Sequence, residues 1–479
     1  MAPHDTSMDS PPSPRQKLAS LRLEADQLQA RLAAIAAEES ALIAAVLSAV
    51  IEGLPSEMLA EIFVWYSRIA DCGPPVLLAL VCRRWRDVVF NTPMLWTRID
   101  FGERGNTKTA IQNRLHRSGS TALDVRFAGI QEWPSAAADN ENDGFEALVD
   151  QSHRWHSCVV DYREGNHHVF ARSKPLALVS LEKLVINALE WNELYDLNPE
   201  SSRRITAFRN APILRNLTLW QLPKAQLDLP WTQITELELL GYWPKDMLTL
   251  LCATTRLAVL TYAPLSWVGT DNETRPDSSM IVLPHLHTLW LVADDETSLL
   301  PSLTLPSLRY IALQASEVGI ARLQDLAERS GFRTNGTFRE LNITTTLANL
   351  CLLLPHLQRS LEILRLSYLK CTSAQLDAFF REMKTDNGIL PALTTLRLYS
   401  LSKTVDIRLG TVLQLLRARS GTDGAAALKV FTVEYDESRA DAEEAAGVAW
   451  DAQYNLQAIE KLCVETGVRF AMTNAELPN

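Results

Sequence analysis

The sequence predicts an α/β protein: an N-terminal heptad helix, a small all-α unit, and a repeat solenoid built on a parallel sheet. Three observations carry this. Leucines recur every seven residues near the N-terminus. Two short amphipathic runs, separated by Gly and Pro, follow between 53 and 96. A pattern close to Leu-x-x-Leu-x-Leu then recurs ten times between 181 and 433.

The first element is read from its heptads. Leu21, Leu28, Ile35 and Leu42 form one row, and Leu18, Ala25, Leu32 and Val46 a second, offset by four. Glu39 falls where the second row wants an apolar residue. The expected helix covers 15–51, behind a Ser- and Pro-rich disordered tail at 1–14. Two readings stay open. One is a single amphipathic helix packed on its own domain. The other is a short coiled coil that makes a homodimer through 18–49.

The second element covers 52–98. Gly53 ends the heptad helix, and Pro55 suits the first turn of a new one. Leu59, Ile62, Phe63 and Tyr66 repeat at helical spacing. Asp71-Cys72-Gly73-Pro74-Pro75 breaks the chain. A second helix is expected over Leu77, Leu80, Val81, Trp85, Val88 and Val89, closed by Asn91-Thr92-Pro93. Met94-Leu95-Trp96 then forms an apolar clamp. A unit of about 45 residues buries its apolar surface fully only against a partner.

The third element covers 120–472, with a short tail at 473–479. The repeats are Leu181/Leu184/Ile186, Leu214/Leu217/Leu219, Ile234/Leu237/Leu239, Leu257/Leu260/Tyr262 and Leu286/Leu289/Leu291. Leu308/Ile311/Leu313, Phe338/Leu341/Ile343, Leu361/Leu364/Leu366, Leu393/Leu396/Leu398 and Leu428/Phe431/Val433 complete them. Alternate residues of each strand point inward, so stacked copies build one parallel sheet with a continuous apolar interior. Helical stretches such as Ser373–Met383 and Ile407–Arg417 are expected to cover one side. Leu123–Phe127 and Cys158–Tyr162 read as early, degenerate repeats. A helical run over Ala440–Cys463, followed by Val468-Arg469-Phe470, reads as a terminal cap.

Composition narrows the function. Hydrophobic residues make up 47% of the chain, enough for a large core. A formal charge of -11 argues against a nucleic-acid binder, which shows a basic face. Seven widely spaced cysteines form no Cys-x-x-Cys pair, so neither a zinc pattern nor a disulfide framework is visible. A reducing compartment fits best. Met1–Pro14 holds no apolar signal-peptide core, and Ala41–Ile51 is too short to cross a bilayer. The expectation is a cytoplasmic and/or nuclear protein with no membrane partner.

Within 54–96 one set of residues carries a family resemblance. Leu54-Pro55-x-Glu57-x-Leu59, Ile62-Phe63, Leu80-Val81-Cys82-Arg83-x-Trp85-Arg86 and Pro93-x-Leu95-Trp96 resemble the F-box. The downstream pattern resembles leucine-rich repeats. The order of the three parts is similar to the expanded F-box families of mushroom-forming fungi. The resemblance covers about a tenth of the chain for the F-box and, with looser motifs, most of the rest. It implies a non-catalytic subunit of an E3 ubiquitin ligase. The F-box would dock on a Skp-type adaptor, and through it on cullin and RING subunits, while the solenoid holds a protein substrate. The alternative it leaves open is a scaffold on the same parts, without ubiquitin delivery. Carried over residue by residue, Leu54, Pro55, Leu59, Ile62, Phe63, Leu80, Val81 and Trp85 would meet the adaptor. Internal packing is the competing reading for Leu59 and Trp85. The connection over Tyr66–Pro75 is longer and richer in Pro than a minimal F-box requires. The repeats also lack the Asn that many leucine-rich repeats place after the strand, as at Trp220-Gln221-Leu222, so irregular turns are expected there.

Strand parity extends the reading. If Leu217 and Leu219 face inward, Thr218 and Trp220 face outward, with Trp290, Tyr310, Gln314, Asn342, Arg365, Arg397 and Tyr399. Trp, Tyr and Arg dominate binding hot spots, so Trp220, Trp290, Tyr310, Arg365, Arg397 and Tyr399 are the candidate substrate-binding residues. Solvated strand residues are the plainer reading. No nucleophile elbow or phosphate loop is present. His167-His168 would face opposite ways on a strand, and His285-x-His287 has no third ligand near it in sequence. The acidic run Asp139–Asp143 lacks calcium-loop spacing and reads as an exposed loop. No metal and no cofactor is expected.

Overall fold

A computed structural model describes residues 14–69, 75–101, 108–127, 139–161, 176–188, 204–222, 224–242, 244–264, 280–292, 297–357, 360–384, 389–401, 408–419, 427–435, 459, 461, 463–464 and 467–473. The chain divides into two units, Met1–Trp96 and Thr97–Asn479.

The first unit is helical. Helix α1 (Pro14–Gly53) runs 40 residues and is followed by α2 (Ser56–Ile69). The expected second helix is broken in two, as α3 (Val76–Ala79) and α4 (Arg83–Phe90). The break is local. Cys82 is extended (φ -156°, ψ 171°) and its Sγ accepts from the Trp85 N–H at 3.4 Å, so it caps α4. Leu59, Phe63, Val64, Ala79, Val88, Val89, Leu95 and Trp96 form the unit's core. The Trp96 indole N–H donates to the Val89 carbonyl at 2.9 Å, which lets a polar ring edge be buried.

The second unit is a mixed α/β body on one large parallel sheet. Its 14 strands follow chain order. They are β1 (Arg98–Phe101), β2 (Leu123–Phe127), β3 (Trp155–Asp161), β4 (Lys183–Asn187), β5 (Asn216–Trp220), β6 (Glu236–Tyr242) and β7 (Val259–Pro264), then β9 (Thr288–Leu291), β11 (Tyr310–Gln314), β12 (Glu340–Thr344), β13 (Ile363–Ser367), β14 (Thr395–Leu401), β15 (Val430–Tyr435) and β16 (Arg469–Thr473). The short strands β8 (Ile281–Val282) and β10 (Leu303–Thr304) pair separately, also in parallel. The helices of this unit are α5 (Lys108–Arg117), α6 (Asp139–Asp150), α7 (Pro244–Leu251), α8 (Glu317–Ser330), α9 (Phe332–Asn335), α10 (Leu347–Leu357), α11 (Ser373–Glu382) and α12 (Leu409–Ala418).

Each of the ten patterned segments carries a strand of the large sheet, and their register explains why. The middle residue of the pattern pairs with its counterpart on the next strand, as in Leu184↔Leu217↔Leu237↔Leu260↔Leu289↔Ile311. The row continues to Leu341, Leu364, Leu396 and Phe431. These side chains and the apolar faces of the helices make one continuous core. A fully buried Leu contributes about 1.5–3 kcal/mol, so the repeated row is one large contribution to the unit's stability.

Several expectations change. The sheet begins at β1, ahead of the boundary at 120, because Arg98–Phe101 pairs in parallel with β2. The segment read as part of a terminal cap is a further strand: β16 pairs with β15, and Phe470 stacks on Phe431 at 5.8 Å. The acidic run at 139 starts helix α6 rather than a loop, in keeping with carboxylates at a helix N-terminus. The tails at 1–13 and 474–479, the linker 70–74, His167-His168 and the run 440–458 lie outside the described residues.

The turns after the strands are more regular than expected. Gln221, Gly241, Tyr368 and Ser400 all have positive φ, between 50° and 71°. Each lies two residues after the last inward Leu of its repeat, at Leu219, Leu239, Leu366 and Leu398. Neighbouring turns of this kind are bonded: the Gln221 N–H donates to Leu240 O, and the Tyr368 N–H to Tyr399 O, both at 3.0 Å.

Candidate functional sites on the helical unit and on the sheet face

Helix α2 sorts its residues into two faces. Leu59 is 2% exposed and Phe63 is buried, with the Phe63 ring 4.7 Å from the Trp85 ring. Leu59 and Phe63 therefore pack inside the unit rather than at the adaptor surface expected of them, and Trp85 is half-buried against the same core. An amphipathic helix gives its most apolar stripe to its own core. Leu54 also packs on that core, while Pro55 is exposed.

The outward residues are Ile62, Leu80 and Val81, with Leu80 67% exposed. Met58, Trp65, Tyr66 and Leu77 join them, with Trp65 66% exposed. Sequence reasoning missed these four as site residues. Met58, Ile62 and Trp65 stand at i, i+4 and i+7, so a helical wheel would have found the stripe.

Arg84 positions the entry to this unit. Its guanidinium donates to Ile51 O at 3.3 Å, to Glu52 O at 2.6 Å and to Leu54 O. These carbonyls end helix α1 or follow it directly, and a cation there satisfies orphan acceptors and meets the negative end of the helix dipole.

The sheet face turned away from the core carries the other candidates. At its middle row, Trp290, Ala312, Asn342, Arg365, Arg397 and Thr432 stand on successive strands from β9 to β15. The Trp290 and Tyr310 rings lie 4.7 Å apart. Trp290 is 39% exposed, but Tyr310 is 9% exposed, which corrects its expected exposure. Parity aims Tyr310 outward, and the neighbouring indole helps to cover it.

Burial raises the pKa of the Tyr310 phenol, opposed by Asn342 and Arg365 beside it. Its hydroxyl nevertheless has no hydrogen bond of good geometry. Arg365 pairs with Glu340 on the preceding strand, β12. Arg397 Nη1 donates to the Tyr399 hydroxyl at 3.1 Å, while its Nε is buried without a partner. Trp290, Tyr310, Arg365, Arg397 and Tyr399 thus share one patch. They are linked from side chain to side chain by the Trp290–Tyr310 ring contact, the Tyr310–Arg365 interaction and the Arg397–Tyr399 hydrogen bond, while Trp220 stands on β5, with β6 and β7 between it and β9.

Next to this patch the ends of β11, β12 and β13 open a cleft of about 510 Å³, lined by Gln314, Ser316, Thr344, Thr346, Tyr368 and Lys370, among others. Ser316, Thr344, Thr346 and Tyr368 bring hydroxyls to a surface that is mostly apolar. Sequence parity could not find it, because Ser316, Thr346 and Lys370 belong to the loops beyond the strands.

Among the described residues no three His, Cys, Asp or Glu side chains converge to hold a metal ion. Among them, too, no helix is long and apolar enough to cross a membrane. The family described as F-box-like matches residues 51–102. No curated protein matches the chain. Residues 51–102 are thus an F-box-like domain, and F-box domains typically bind Skp-type adaptors of ubiquitin ligase complexes.

Proposed function

We propose that this chain is a substrate-receptor subunit of a Skp-cullin-F-box ubiquitin ligase. The F-box-like domain docks on the adaptor and, through it, joins cullin and RING subunits. The outward sheet face at Trp290, Arg365, Arg397 and Tyr399, with the adjoining cleft, receives the protein substrate. The chain itself carries out no chemistry and works in the cytoplasm or nucleus. The organisation that goes with this is a heptad helix at 15–51 that pairs two copies, the F-box at 52–98, and a leucine-rich-repeat-like solenoid from there to the C-terminal region.

The observation that carries the reading is the exposed apolar stripe of Met58, Ile62 and Trp65 on α2, with Leu80 and Val81 also exposed, on the F-box-like domain. Helix-in-groove recognition buries such stripes, and Trp is the commonest hot-spot residue.

The test is co-purification of the full chain with a Skp-type adaptor, wild type against Ile62→Glu/Leu80→Glu. Both positions are exposed, so the fold is retained, which far-UV circular dichroism checks. Capture by the wild type and a loss of at least about tenfold in the variant support the reading, each buried apolar contact being worth more than 1.4 kcal/mol. No capture by a folded wild type ends it.

A further inference from the structure

Helix α1 is 40 residues long, which is about 60 Å at 1.5 Å per residue. Leu28, Leu32, Ile35 and Leu42 are all exposed on it, Leu32 by 66%. They stand four, three and seven residues apart, the a/d spacing of a coiled coil. No segment of the same unit covers them among the described residues. So long an apolar row needs an occupant, and the flanking charges say which.

We propose that two copies of this chain pair through α1 as an antiparallel coiled coil, centred between residues 33 and 34. The inference rests on the self-association put forward above and adds its orientation and register. In the heptad frame Leu32 and Glu39 are a residues, Leu28, Ile35 and Leu42 are d residues, and Arg31 and Glu38 are g residues. An antiparallel pair sets a against d of the partner and g against g.

With the centre at 33–34, Leu32 packs on the partner's Ile35 and Arg31 meets the partner's Glu38. The two-fold axis repeats both contacts. A shift of one heptad in one direction sets Arg31 against Arg31, and in the other Glu38 against Glu38. The surface is complementary to itself in one register only.

A parallel pair is disfavoured for a separate reason. It would bury Glu39 against Glu39 at an a layer, two carboxylates facing each other in an apolar seam. The antiparallel pair places the two Glu39 residues about 16 Å apart along the axis, at 1.5 Å per residue. Each then faces Leu28 of the other copy. Arg31 and Glu38 are seven residues apart on one helix and do not pair within it, so their charges are available across the seam.

The experiment is light scattering on the purified full chain at about ten micromolar, with three variants: Arg31→Glu, Glu38→Arg, and the double exchange Arg31→Glu/Glu38→Arg. Both positions are solvent-facing, and circular dichroism checks that helix content is kept. The expected result is a dimer for wild type, a shift of at least about tenfold toward monomer for each single variant, and recovery of the dimer by the double exchange. A monomeric wild type overturns both self-association and orientation. A dimer indifferent to the single reversals keeps self-association and overturns the antiparallel register, because a parallel pair sets Arg31 opposite Ala36 rather than Glu38. Adaptor capture is read separately, so failure here leaves the ligase reading standing.

Discussion

Arg419 shows what one residue does for the fold. It follows α12 and is buried at 3% exposure, yet its guanidinium meets four backbone carbonyls. Its Nε donates to Met383 O at 3.0 Å, Nη1 to Pro391 O at 3.1 Å, and Nη2 to Ile389 O and Leu390 O at 3.3 and 2.8 Å. Those carbonyls lie between α11 and β14, in loops that no ladder satisfies. Arg154 does the same work near the other end of the sheet, bonding Thr121 O and Ser118 Oγ. Replacing Arg419 by Met keeps most of the volume and leaves the Met383, Ile389 and Pro391 carbonyls without this donor, while Leu390 O keeps its bond from the Leu393 N–H. The expected cost is on the order of 3 kcal/mol or more, each orphaned group losing about 1–3. Urea denaturation followed by tryptophan fluorescence measures it; an unchanged midpoint means that water replaces the guanidinium.

At the scale of elements, the left-handed turn after the strands is the recurrent device. Gly241 has φ +71°, and a Cβ there would lie 2.7 Å from the Gln221 Cγ. Gln221 holds the same conformation one strand earlier, so the two turns stack. Gly241→Ala is therefore expected to destabilise the second unit by about 1–2 kcal/mol, from backbone strain and crowding together. Ser400→Gly, which relieves a left-handed residue, is expected to be neutral or to stabilise by up to about 1 kcal/mol. Thermal unfolding of the two variants side by side distinguishes a conformational demand at these positions from simple packing. The absence of Asn after the strands hides this regularity in the sequence, because a Gln, a Tyr and a Ser occupy left-handed positions that propensity assigns to Gly or Asn.

Inward residues can be read from strand parity because their row repeats on every strand. Outward exposure cannot be read that way, since it depends on the neighbour one strand over. Tyr310 and Trp290 obey the same parity and differ fourfold in exposure, 9% against 39%. The F-box-like region divides in the same manner. Its apolar residues are all visible as a set, but whether Leu59, Phe63 and Trp85 face a core or a partner is decided by how α3 and α4 fold back on α2.

For the molecule as a whole, the proposed function separates its two units. The proposed function assigns the adaptor to the F-box-like domain and the delivered protein to the sheet face. Trp290→Ala/Arg397→Ala is expected to leave adaptor capture unchanged, since both residues lie in the second unit. It is expected to lower capture and turnover of the substrate by at least about tenfold, the scale of hot-spot truncation. Quantitative proteomics of partners trapped by wild type and variant measures both arms at once. An identical partner list for the two moves the substrate site off this face.

By itself the sequence determined the α/β class, the ten strand positions, the inward row and the helical span of the heptads. All of these follow from periodicities of two, three and a half, or twenty to thirty-five residues, which are local or repetitive signals. It also determined the F-box-like segment, through residue types at fixed spacing. Only the tertiary structure decided that β1 and β16 extend the sheet at its two ends, because a strand without the repeat pattern is specified by the edge it pairs with. It alone decided the break at Cys82, set by one cap. It also linked Trp290, Tyr310, Arg365, Arg397 and Tyr399 into one patch, because proximity across strands depends on sheet order and register, which no single segment encodes.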